Sequence, residues 1–299
     1  MTFDQALRLA GFRPRDVVAD GQWRRCATDD KPGRLNGAYV LYPWGVGYYR
    51  NRATDGNENH KWEDGTKTDH TPSAAHLEAL QRKRDAERAA RVQAMRSAND
   101  YWKRCHRPNR LHPYLAAKGL SPVGTQGLRE CDGWLVVPVY QDRWMVISVQ
   151  NIHPDGTKRF WTGAPIKAGA FILDRPHAAV TVLCEGLATG MAVFQAVKHA
   201  RVVVCFDAGN LLPVTQRLKP TGSVVYAADN DAGTLARRGF NPGIEKAHNA
   251  AELIGAGVAF PQGIEGTDWA DALREWGQQG AKRIERQILA GARYVATPS

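Results

Sequence analysis

VTVLCEGLATG (residues 180–190), RVVVCFDAGN (201–210) and SVVYAADND (223–231) decide the fold. Each opens on an unbroken apolar run, the pattern of a strand buried on both faces, and helical segments follow Gly186, Gly209 and Asp231. Strands alternating with helices in this way build a parallel sheet. In such sheets the functional crevice lies at the carboxyl ends of the strands, where the loops converge and helix N-termini point inward. The acids are found there. Glu185 follows the first run, Asp207 ends the second, and Asp229 and Asp231 flank Asn230 after the third. GTDWAD (266–271) adds Asp268 and Asp271 before a last helical stretch.

Carboxylates crowded into a crevice of low dielectric repel one another, so a cation normally joins them. Mg²⁺ suits the role, because it prefers carboxylate and water oxygens and leaves positions open for a substrate phosphate. Asp also favours helix N-caps, and capping could account for one or two of these acids. Four or five at consecutive strand ends point instead to a metal-assisted site.

Upstream of 177 the pattern is different. Trp134 to Tyr140, Trp144 to Ile152, Arg159 to Trp161 and Ala170 to Leu173 read as strands separated by Gly and Asp turns, with LHPYLAAKG (111–119) a short helix before them. From Ala74 to about Cys105 the chain is Ala, Arg, Glu and Gln without Gly or Pro, which is helix-forming material. Before it, Asn51 to Thr71 is polar and reads as a long loop. Thr2 caps a short amphipathic turn carrying Phe3, Ala6 and Leu7, and aromatic and β-branched runs follow at 22–28 and 38–49. The expected division is a small β-rich domain at 1–72, a basic helical linker at 73–110, a sheet-based subdomain at 111–176 and the parallel-sheet domain at 177–299.

The chain of 299 residues is long enough for several such domains, and no apolar run has the length of a membrane span. No apolar signal segment stands at the start, so a soluble, cytoplasmic protein is expected. Five cysteines lie far apart without a C-x-x-C pair, which predicts reduced, mostly buried thiols and no zinc ribbon. The formal charge of +10 suits a polyanionic partner, and its position is informative. Between Leu77 and Arg110 ten basic residues stand against four acidic ones. Arg82, Lys83, Arg84, Arg88 and Arg91 are the candidate nucleic-acid contacts there. The N-terminal region mixes Trp23, Tyr39, Tyr42, Trp44, Tyr48 and Tyr49 with Arg24, Arg25, Arg50 and Arg52, a combination suited to single strands, since bases stack on rings while cations track phosphates. About half of those aromatics are expected to form the domain's own core, because alternation buries one strand face in two.

EGLATG from Glu185 and AADND from Ala227 resemble the glutamate and Asp-x-Asp motifs of the Toprim fold, shared by bacterial-type primases, topoisomerases and some nucleases. FDAGNL from Phe206, NPGIEKAHNAA from Asn241 and GTDWADAL from Gly266 narrow the resemblance to primases of conjugative plasmids and mobile elements. HPYLAAKGL from His112 and the strand block from Leu135 are similar to the nucleotide-handling subdomain of bacterial primases, so the resemblance covers roughly Tyr101 to Gly277. It implies a multi-domain α/β chain, with a Rossmann-like Toprim sheet at the C-terminal end, a mixed primase subdomain before it and a β-rich N-terminal domain. It further implies a DNA-directed RNA polymerase that makes short primers on single-stranded DNA from nucleoside triphosphates, with Mg²⁺ or Mn²⁺ and a helicase or relaxase encoded elsewhere. By that resemblance Glu185 is a general acid or base and, with Asp229 and Asp231, a metal ligand, supported by Asp268 and Asp271. Lys158 and Arg159 beyond the hairpin tip at 154–156, together with Lys118, Lys167, Asp207 and Asn210, are candidates for nucleotide or template contact. One departure is plain. Replicative bacterial primases carry an Asp four residues after the motif glutamate, where this chain has Thr189. A Toprim nuclease and a non-catalytic single-strand-binding accessory protein are the alternatives.

Overall fold

The computed structural model describes residues 1–55, 58–63, 74–108, 110–142, 145–231, 233–234, 239 and 241–297. Thr2 caps helix α1 (Phe3–Leu9) in a capping box with Gln5, which satisfies backbone donors at the helix start and turns Phe3, Ala6 and Leu7 inward. The chain then forms an antiparallel sheet of five strands in sequence order: β1 (Phe12–Arg13), β2 (Arg24–Thr28), β3 (Gly37–Leu41), β4 (Val46–Asn51) and β5 (His60–Glu63). Phe3, Leu7, Phe12, Cys26 and Tyr39 make the core between helix and sheet. Gly47 permits the approach, since a Cβ there would stand 2.5 Å from the Phe3 ring. Strand β5 lies inside the stretch expected to be a loop. Its one large apolar residue, Trp62, packs 5.3 Å from Phe3, and one aromatic among polar residues leaves no alternation to read.

Helix α2 (Ala74–Arg104) is long and polar, and Arg82, Lys83, Arg84, Arg88 and Arg91 are all exposed along it. The chain divides into two compact units, Met1–Arg84 and Asp85–Ser299, so the boundary falls within α2. In the second unit the end of α2 becomes apolar: Ala98 and Trp102 are buried, and Tyr101 stacks on Trp161.

His112 caps the short helix α3 (Pro113–Ala117), accepting from the Tyr114 N–H while its other ring nitrogen bonds the Gly133 carbonyl. Four antiparallel strands follow, β6 (Arg129–Cys131), β7 (Trp134–Asp142), β8 (Met145–Ile152) and β9 (Lys158–Phe160). The next strand, β10 (Phe171–Leu173), does not join that sheet. It pairs antiparallel with β12 (Ala200–Val204) and so forms an edge of the six-stranded sheet. That sheet is otherwise built from β11 (Val180–Cys184), β13 (Gly222–Ala227) and β14 (Gly257–Ala259), all parallel to β12, with β15 (Arg293–Val295) antiparallel to β13. Helices α4 (Leu187–Ala196), α5 (Leu211–Leu218), α6 (Pro242–Glu252), α7 (Trp269–Glu275) and α8 (Gly280–Gly291) connect or flank these strands. One continuous core runs from Tyr114 and Leu135 through Val182 and Met191 to Ile288, so the stretches 111–176 and 177–299 share their interior. No described helix is long and apolar enough to cross a membrane.

Candidate active site

The register of the parallel strands sets the site. Cys184, the last residue of β11, pairs with Val204 on one side and Ala227 on the other, so three strands end level and their following residues meet at one edge. Glu185 and Asp229 leave this edge. Behind them α4 lies close on the sheet because Gly190 has no side chain; a Cβ there would come within 2.6 Å of Val204. That closeness brings Thr189, itself 1% exposed, within reach of the next strand's end, and its hydroxyl donates to Asp229 Oδ1 at 2.7 Å. On the other side Asn241 caps α6, accepting from the Ile244 N–H, and Pro242 begins the helix. Gly243 then fits against both acids: a Cβ would lie 2.7 Å from Glu185 Oε1 and 3.1 Å from the Asp229 carbonyl.

The two carboxyls are pushed toward their neutral forms. Burial, and then the charge of Glu185, push the Asp229 carboxyl up to about 7, while the Thr189 hydrogen bond and Lys158 pull the other way. Burial and the charge of Asp207 raise Glu185 too, opposed by Lys246. Glu185 Oε1 is buried without a hydrogen-bond partner. An orphaned carboxylate oxygen beside a second carboxylate that resists ionising is a donor set suited to a hard divalent ion. Among the described residues no three acidic, His or Cys side chains converge into a closed metal cluster.

The other expected residues fall into different roles. Asp231 accepts from the Thr234 N–H and also bonds its hydroxyl, as a turn cap does. Asp268 and Asp271, expected to support the metal, form the capping box of α7, and the charge of Asp268 adds to the upward push on Asp229. Both also receive Lys118, at 2.8 and 3.3 Å, so this lysine is an internal tie between α3 and α7. Asp207 caps the turn at 208–210. Asn210 is 4% exposed and entirely bonded to backbone, accepting from the Ala168 N–H and donating to the carbonyls of Ile166, Gly169 and Cys205. It latches the loop before β10 and has no group left for a nucleotide. Lys167 is exposed on that loop. Alternation separates the neighbours of β9: Lys158 reaches within 4.0 Å of the space beside Gly186, whereas Arg159 lies over the Trp134 ring. On α2, Arg82 pairs with Glu78.

Sequence reasoning missed what Thr189, Gly243 and Lys246 do. Thr189 stood out only as a departure, yet it positions Asp229. Gly243 and Lys246 lie inside NPGIEKAHNAA, where a Gly directly after an N-terminal Pro in a helix was the available signal.

Residues 180–279 match the Toprim domain family. Over 264 residues, 82% of this chain, the sequence is 32% identical to a DNA primase TraC of Escherichia coli, of which the match covers 24%. A second Escherichia coli DNA primase TraC is 37% identical over 158 residues, 50% of this chain and 11% of that protein. The chain thus spans about a quarter or less of the curated relatives it matches. A DNA primase domain from Pseudomonas aeruginosa superposes with a TM-score of 0.44 at 14% identity, covering 67% of this chain and 79% of that one. The DnaG primase catalytic domain bound to ssDNA gives a TM-score of 0.41 at 14% identity, covering 69% and 84%. The strand-end acids at Glu185 and Asp229 thus lie within the residues that match the Toprim domain family, in a chain similar over four fifths of its length to part of a DNA primase.

Proposed function

We propose that the chain is a DNA primase, joining ribonucleotides into short primers on single-stranded DNA for a plasmid or other mobile element. The observation that carries this reading is the Glu185–Asp229 pair, held level at the strand ends with one buried carboxylate oxygen unbonded. Sequence similarity to DNA primases over most of the chain supports it. In this reading the 3′-hydroxyl of the growing primer attacks the α-phosphate of a nucleoside triphosphate and pyrophosphate leaves. Glu185 and Asp229 would hold Mg²⁺ or Mn²⁺, which would supply charge neutralisation at the phosphate oxygens. Thr189 fixes the Asp229 carboxylate so that it meets the substrate in one orientation. Oε1 of Glu185, free of protein partners, is the acceptor available for the hydroxyl proton. Lys158 and Lys246 flank the two acids and favour a bound triphosphate by charge. A helicase or relaxase supplying unwound template completes the set of partners.

The test is synthesis on single-stranded DNA with labelled ribonucleotides and Mg²⁺, comparing the natural chain with Asp229→Asn. Primers made by the first and not by the second support the reading. Template degradation would assign the same acids to a nuclease, and binding without either reaction would assign the chain to an accessory role.

A further inference from the structure

Two faces of the N-terminal sheet have opposite characters. The pairings Arg24 with Tyr39, Tyr39 with Tyr49 and Gly47 with Trp62 place those residues on the face that α1 covers. The pairings Arg25 with Ala38, Ala38 with Arg50, Val40 with Tyr48 and Tyr48 with Lys61 build the other face. Across β2 to β5 this face carries two adjacent rows, Arg25–Ala38–Arg50 and Val40–Tyr48–Lys61. Small residues form the floor and long cations and a ring form the sides. Arg50 reaches across the floor to the Trp23 ring, 5.6 Å from its centroid, and Ala38 and Val40 beneath are buried. Trp23 is itself 46% exposed, and Arg25 is exposed.

Several cations of this unit are already paired, on both faces. Arg8, Arg13 and Arg24 each pair with a carboxylate, on Asp4, Asp29 and Asp20. Lys61 pairs with Glu63 on the outer face. Neither Arg25 nor Arg50 has an ion pair among the described residues, and Arg50 Nε is buried with no acceptor. A buried guanidinium N–H without an acceptor is costly, and a phosphate or base oxygen laid along the row would supply one.

We infer that this outer face is a binding surface for single-stranded nucleic acid, with bases stacking on Trp23 and Tyr48 and phosphates meeting Arg25 and Arg50. Aromatic rings at strand spacing between unpaired cations recognise a flexible polyanion whose bases are unstacked, and a duplex offers no such bases. The inference rests on the primase reading only for the identity of the strand as template.

Adjacent residues provide a matched test, because Arg24 and Arg25 carry the same charge on opposite faces. The full chain and its Arg24→Gln, Arg25→Gln, Arg25→Gln/Arg50→Gln and Tyr48→Ala variants are titrated with a labelled oligo(dT) across a salt series. Primer synthesis on the same strand and thermal melting are followed in parallel. Arg25→Gln is expected to flatten the log-log salt slope by about 0.7, the double variant by about 1.4, and Arg24→Gln not at all. Tyr48→Ala is expected to weaken binding by about tenfold with a small change in slope. Equal slopes and affinities for Arg24→Gln and Arg25→Gln, with melting unchanged, overturn the surface even if the natural chain makes primers. A flattened slope in Arg25→Gln establishes the surface even if no primers are made, and then the primase reading alone falls.

Discussion

Replacing Asp229 by Asn should stabilise the metal-free chain at high pH while removing its activity. A carboxyl that ionises at about 7 in the folded chain and near 3.8 when unfolded makes the charged folded state less favourable by about 4 kcal/mol. Asp229 keeps part of its surface in water, so about 4 kcal/mol is an upper value. Because the folded pKa is raised, the unfolded chain gives up its proton first, and stability falls as pH rises from near 3.8 to about 7, then levels. Between about pH 5 and pH 8 this one group lowers stability by roughly 2.5 kcal/mol. Asn keeps the shape and an oxygen for the Thr189 hydroxyl but carries no charge. Urea unfolding with chelator present should therefore show a variant that is more stable than the natural chain by an amount growing toward pH 8. Adding Mg²⁺ at about pH 8 should stabilise the natural chain and leave Asp229→Asn unmoved, since a ligand stabilises only the state that binds it. Parallel stability curves for the two proteins, with or without the ion, would refute the crowded-carboxylate account.

Gly243→Ala should lower synthesis by about tenfold or more with no loss of melting temperature, because the methyl group displaces the Glu185 carboxylate while alanine favours the helix; normal turnover would show that the α6 contact is incidental. Thr189→Val removes the donor that opposes the upward push on Asp229, so the acid limb of the pH–rate profile should move to higher pH, and Thr189→Ser should restore it. Glu185→Gln should retain folding and DNA binding and lose most turnover, checked by synthesis and anisotropy together. Changing Arg82, Lys83, Arg84, Arg88 and Arg91 together to Gln should flatten the salt dependence of single-strand binding by up to about 0.7 for each phosphate no longer neutralised, with Arg82 contributing least because Glu78 already holds it.

The parallel sheet could be read because strands buried on both faces appear as unbroken apolar runs, and level strand ends follow from equal runs in register. Glu185 and Asp229 were legible for that reason. Position in sequence could not reveal Asp231 turning back to Thr234, or Asp268 and Asp271 closing a capping box, because Asp performs both tasks with the same spacing. Lys118 finds its partners 150 residues away, and no local pattern announces such a pair. β10 looks like one more strand of the antiparallel sheet before it, and only its pairing with β12 assigns it elsewhere. The Thr189–Asp229 contact depends on how closely α4 approaches the sheet, which Gly190 decides and a motif does not state.

The shared interior sets where this protein can be cut and rejoined. A Toprim segment transplanted from residue 177 onward would leave behind β10, the edge strand of its own sheet, and Leu128, Leu135 and Ile147, which fill the space under it. It would also lose Lys118, leaving the α7 carboxylates facing an absent cation. A crossover placed in the exposed stretch of α2 near Asp85 keeps sheet, core and ion pair together, with the buried end of α2. Recombination among related genes should therefore preserve residues from about Asp85 onward as a single inherited block, while the N-terminal unit is exchanged separately.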